Sequence, residues 1–136
     1  GPGLIPLLAD RDLTAKGVEV DLFGHRARVA AGPAALGVVT GAPVFATAVT
    51  YERLRGARRR AAGTPWGIQL EFIEVPVPPA ELPARERIRV MTQEWADILG
   101  DRIRRHPQDW HMLQRVFVED LDPERYAATV AAEVSR

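Results

Sequence analysis

Residues 7–44 read LLADRDLTAKGVEVDLFGHRARVAAGPAALGVVTGAPV, and the order of their patterns decides the fold class. The apolar run at 4–9 (LIPLLA) predicts a short strand covered on both faces. Pro6 withholds one ladder N–H, so this strand is bent or paired on one side there. Residues 10–16 form a polar, charged turn closed by Gly17. Val18, Val20 and Leu22 then alternate with Glu19, Asp21 and Phe23, a period-two strand ending at Gly24. Glu19 and Asp21 share a face, and two buried carboxylates would repel, so that face is wet or lines a polar site. His25 to Ala30 alternates weakly and fits strand or loop. Gly32-Pro33 opens a helix, where the missing proline N–H would be unpaired in any case, and Thr40-Gly41 closes it.

Outward from this run, residues 44–51 are apolar on both faces except at Thr47 and Thr50, which predicts a central strand. A basic, Gly-punctuated connection follows at 53–63. Trp66, Ile68, Leu70 and Phe72 alternate with Gly67, Gln69 and Glu71, a half-buried strand that VPVPP at 75–79 stops. From Pro83 the apolar positions Ile88, Met91, Trp95, Ile98 or Leu99, and Ile103 recur at helical spacing. Arg102, Arg104, Arg105 and His106 favour the negative end of that helix, and Pro107 ends it. Residues 110–117 are a short amphipathic stretch, and Trp110 is expected in the core. Asp122-Pro123-Glu124 reads as a helix N-cap with Pro at the first position, and residues 126–134 form a weakly apolar tail. The expected architecture is α/β: a mixed sheet flanked by helices, with a C-terminal helical segment. Residues 1–136 form a single partial domain, mainly strands with one helix over 1–79 and mainly helical over 80–136.

Composition narrows the function classes. With 46% apolar and 26% charged residues, the 136-residue chain can bury a core. Zero formal charge disfavours a generally basic nucleic-acid binder. The absence of cysteine removes disulfides, thiolate zinc sites and a Cys nucleophile. Ser135 is the sole serine and sits beside the end, so a serine hydrolase lacks a credible nucleophile. Lys16 is the one lysine among 18 basic residues, which with the many Ala, Gly and Pro reads as the codon bias of a GC-rich genome. No stretch approaches the roughly 20 apolar residues of a membrane span. The opening Gly1-Pro2-Gly3, without Met or a targeting signal, reads as a truncated chain.

The strand, the acidic turn at Asp10-Arg11-Asp12, the GVEV strand and the GPAALGVVTG helix opening together resemble the second half of the bacterial lysophospholipid acyltransferase-like family. That family makes lipid A and phosphatidylinositol mannosides, and the likeness is greatest to its actinobacterial mannoside acyltransferases. HPQDW at 106–110 is similar to the family's late Pro…Trp segment. The resemblance implies an α/β fold and peripheral work at the cytoplasmic face of the cell membrane. It also implies fatty acyl transfer from acyl-CoA, a co-substrate rather than a cofactor, to a glycolipid hydroxyl, with no metal. The family relies on a His followed five positions later by Asp or Glu. Here those positions hold Ala30 after His25, His111 after His106 and Val116 after His111. The chain is therefore expected to need the missing N-terminal half of its domain and to be inactive alone.

Each candidate residue has a plainer alternative. The resemblance makes Glu19 the carboxylate that supports the absent His, with Asp21 as fallback; either could instead be a solvent-facing strand acid. It makes Asp10, Arg11 and Asp12 part of the substrate site, against a solvated loop with self-satisfied charges. Gly32 and Pro33 could present backbone N–H groups to a phosphate of coenzyme A or of a lipid, although ordinary helix starts look the same. His25 and His111 lack partners at metal spacing. Arg58, Arg59 and Arg60, beside Arg53 and Arg55, suit an anionic membrane surface or a solvated loop. Nucleic acid fits worse, because no aromatics interleave. The competing function is a non-catalytic lipid- or partner-binding α/β module. A nucleotide-binding half-domain is weak because no Gly-rich phosphate loop follows the first strand.

Overall fold

The computed structural model describes residues 3–12 and 17–134. Ser135 and the second half of the expected polar turn lie outside them. The first hairpin joins β1 (Val18–Leu22) to β2 (His25–Val29) in antiparallel register. Glu19 stands opposite Arg28, and Asp21 opposite Arg26. Phe23 and Gly24 make the turn at φ 63° and 83°, the mirror-image geometry that matches strand twist. Phenylalanine is strained there by about 1–3 kcal/mol. Its ring offsets this by meeting Trp110 edge-on at 5.8 Å beneath the Arg104 guanidinium. The Asp21 carboxylate accepts the Gly24 N–H at 2.9 Å.

Helix α1 (Gly32–Thr40) begins and ends where its Gly-Pro and Thr-Gly signals place it. Gly41 adopts φ 71° and donates its N–H to Gly37 O. Then come β3 (Phe45–Arg53), the short helix α2 (Gly56–Ala62) and β4 (Trp66–Glu74), with β3 and β4 antiparallel. The basic connection is thus a helix at the tip of a long hairpin. Helix α3 (Ala84–Arg105) runs from Pro83 to His106 as its periodicity requires. It packs across β1, α1 and β3. Met91, Trp95 and Ala96 meet Val20, Leu22, Val29, Ala34 and Ala46 in the core, and Trp110 packs against it. Backbones come close where side chains vanish: a Cβ on Gly37 would lie 2.4 Å from Val44 Cγ2. Helix α4 (Pro123–Val134) is capped by Asp122, whose Oδ1 accepts the Arg125 N–H at 2.9 Å.

The α/β class and the C-terminal helices are as expected, and the strands are shared between two antiparallel two-stranded sheets. Four local expectations are corrected. Residues 4–9 are not a strand. Leu8 is 98% exposed, and Ala9 O, accepting the Ala30 N–H, is the link to the hairpin. An apolar run becomes a strand only along a paired edge, and one bond at Ala9 does not make a ladder. β3 is not central: it pairs along one edge, and Phe45, Val49 and Tyr51 are exposed. β4 is turned over relative to expectation. Ile68, Leu70 and Phe72 face outward, whereas Glu71 reaches α3 and pairs with Arg102 at 2.8 Å. Finally, 110–117 is not helical. Val116 is buried and its C=O accepts the Arg28 N–H at 3.1 Å, while Phe117 bridges Ala27. The end of this stretch lies beside β2 through an isolated bridge without joining its sheet.

Candidate functional site

The charged face of the first hairpin folds into one connected network. Arg28, opposite Glu19 in the register, has a side chain only 6% exposed. Its Nε lies 3.6 Å from Asp12 Oδ2 and its Nη1 3.5 Å from Glu19 Oε1. Its Nη2 donates to Gly17 O at 3.0 Å. Asp12, 5% exposed, accepts the Gly17 N–H at 2.8 Å, and its own N–H donates to Arg28 O at 3.1 Å. A Cβ on Gly17 would sit 2.5 Å from Val29 O, so only glycine allows this approach. Around Glu19, which is 31% exposed, Arg26 Nη1 lies 3.3 Å from Oε2. The Tyr126 hydroxyl, arriving from α4, donates to Oε1. The bond to Glu19, together with burial, holds the Tyr126 hydroxyl above the usual phenol range.

Chemically, this is a carboxylate gripped by two guanidiniums and a hydroxyl, with one side open to solvent. Such a group can orient and charge-stabilise an imidazole. Asp12 is tied to Arg28, while Asp10 is exposed and Arg11 half-buried. Asp21 faces the turn, bonded to Gly24, and its backbone exchanges hydrogen bonds with the Gln93 amide at 2.9 Å. Gly32 is exposed and Pro33 half-buried, and the start of α1 has no side-chain cap. His25 pairs with Glu119 at 2.8 Å on the surface, and His111 lies 3.3 Å from Gln108 O. Neither is brought to Glu19. At the other hairpin, Arg58 is engaged by Glu52, lowering the Glu52 carboxyl through the hydrogen bond and charge, while Arg59 and Arg60 are exposed. Among the described residues no group of three His, Asp or Glu could hold a metal. None of their helices is long and apolar enough to cross a membrane.

Arg26 and Arg28 escaped the sequence reading, although a signal existed. VEVDL and HRARV flank a two-residue turn, so hairpin pairing sets each acid against an arginine. No local signal points to Tyr126, 107 residues from Glu19.

An α/β fold organised about a buried Asp-Arg-Glu network suits a protein that builds a polar site beside a sheet. Residues 3–119 match the model of the bacterial lipid A biosynthesis acyltransferases, and the chain belongs to that family. It is 39% identical over 124 residues to phosphatidylinositol mannoside acyltransferase of Mycobacterium tuberculosis, covering 91% of this chain and 34% of that protein. The protein of the same name from Mycolicibacterium smegmatis is 37% identical over 123 residues, covering 90% of this chain and 35% of that protein. The chain therefore spans about a third of the length of these relatives.

Proposed function

We propose that this chain is part of an acyltransferase that moves a fatty acyl group from acyl-CoA to a hydroxyl of a phosphatidylinositol mannoside-like glycolipid. The observation that carries this reading is the identity to mannoside acyltransferases over nine-tenths of the chain. In the proposed reaction a His outside these 136 residues takes the proton of the acceptor hydroxyl. The hydroxyl oxygen then attacks the thioester carbonyl, the new ester forms as the C–S bond breaks, and the coenzyme A thiolate leaves with that proton. Glu19 supports the imidazolium. Asp12 acts through Arg28, keeping the strand register that presents Glu19. Asp10 and Arg11 border the acceptor, and Gly32 with Pro33 offers backbone N–H groups to a phosphate.

The test is transfer of labelled palmitate from palmitoyl-CoA to a phosphatidylinositol mannoside. A complete protein carrying this chain with the remainder of the domain should form the acylated lipid, and the 136-residue chain alone should match a buffer blank. Transfer by the isolated chain, or none by the complete protein, sinks the proposal.

The same reading makes the complete protein peripheral at the cytoplasmic membrane face, with α2 toward anionic lipid. Arg58 is committed to Glu52, so Arg59 and Arg60 are the groups to neutralise. Binding of the complete protein to anionic vesicles should then weaken about 30-fold at low salt and less at physiological ionic strength. Unchanged vesicle sedimentation would return both arginines to an ordinary solvated helix.

A further inference from the structure

Glu19 is approached unevenly. Oε1 receives the Tyr126 hydroxyl and Arg28 Nη1, whereas Oε2 receives Arg26 Nη1 at 3.3 Å. A carboxylate oxygen has about two lone-pair sites, so Oε1 is filled and Oε2 keeps one. The two sets of donors also differ in rigidity. Arg28 is buried and anchored by Asp12 and Gly17 O. Tyr126 is half-buried on a helix fixed by its Asp122 cap. Arg26, 66% exposed, can swing into solvent.

We propose that Tyr126 is a positioning residue: with Arg28 it clamps Oε1 and so leaves Oε2 to accept the N–H of the catalytic base. This inference rests on the role proposed for Glu19. It also assigns α4, which lies beyond residue 119 where the family match ends, a part in the site. The clamp works through geometry and charge together. A carboxylate free to rotate presents its acceptor in several directions, and small misplacements of a supporting group lower the rate steeply. The phenol also draws negative charge from Glu19, so its removal leaves the imidazolium more strongly stabilised and the base harder to keep neutral.

Tyr126→Phe keeps the ring and deletes only the hydroxyl. In the complete enzyme kcat should fall roughly 10-fold with KM for acyl-CoA within about twofold. The acid limb of the kcat–pH profile should move to higher pH. Adding Tyr126→Phe to Glu19→Gln should bring little further loss, because both act through one contact. A second measurement uses the 136-residue chain, whose two tyrosines become one in Tyr51→Phe. Ultraviolet titration should place the remaining phenol above free tyrosine, and Glu19→Gln should bring it down. If Glu19→Gln slows turnover while Tyr126→Phe leaves kcat and its pH profile untouched, the clamp is wrong and the role of Glu19 stands. If Tyr126→Phe costs as much in the Glu19→Gln background as in the unmutated enzyme, the hydroxyl acts elsewhere and the clamp is again wrong. A silent Glu19→Gln overturns both.

Discussion

Arg28→Met is expected to lower the stability of the 136-residue chain by about 3–5 kcal/mol, a large share of the roughly 5–15 kcal/mol that holds a domain folded. The guanidinium is buried, and the Asp12 carboxylate beside it is equally enclosed. Methionine fills the stem but takes the guanidinium away from the enclosed Asp12 carboxylate, which the Gly17 N–H also serves. It also frees Gly17 O, which Arg28 Nη2 now serves. Much of the penalty comes from a desolvated carboxylate that has lost its guanidinium, so a second change should reverse part of it. Arg28→Met with Asp12→Leu should recover stability relative to Arg28→Met alone, because the enclosed carboxylate is then removed with its guanidinium. Urea unfolding followed by circular dichroism measures both. A shift below about 1 kcal/mol for the single variant would mean that the pair is hydrated in solution.

The second large effect concerns Glu19. In the complete enzyme Glu19→Gln should keep the fold and the acyl-CoA affinity while lowering kcat on the order of 10²-fold or more. The structure supplies a specific reason. Arg28 and Tyr126 both donate to Oε1, so the single amide oxygen of glutamine would settle there. The amide NH₂ would then occupy the Oε2 position and face the N–H of the base, donor against donor. Asp21→Asn should be milder, since Asp21 is occupied with the Gly24 N–H and the backbone exchange with Gln93. Single-turnover and steady-state rates of acyl transfer separate these outcomes. A larger loss at Asp21 would transfer the role to that residue. Near-normal turnover in both would favour a non-catalytic lipid- or partner-binding module.

The locally encoded features of the chain are legible from neighbouring residues alone. Gly32-Pro33, Thr40-Gly41, Pro83, His106-Pro107 and Asp122-Pro123 delimit three helices within a residue or so. Caps and breakers act on the few residues around them, so neighbours in sequence suffice. The spacing of Met91 and Trp95 named the buried side of α3, and the alternation from Val18 to Leu22 named a strand and a carboxylate face. The resemblance carried by those same residues led to the acyltransferase family and to Glu19. The tertiary structure decided everything that depends on a partner. Residues 4–9 and β3 have the composition of covered strands, yet burial is a property of what lies alongside, and β4 leaves Ile68, Leu70 and Phe72 exposed while Glu71 pairs with Arg102 on α3. Arg28 looks like a surface arginine until Asp12, Gly17 and Glu19 close around it. Tyr126 reaches Glu19 only because the irregular segment along β2 brings α4 back to the first hairpin. Helix ends are set by hydrogen bonds a few residues long. The charged network is set by contacts between distant parts of the chain, whose energies exist only once the backbone has brought them together.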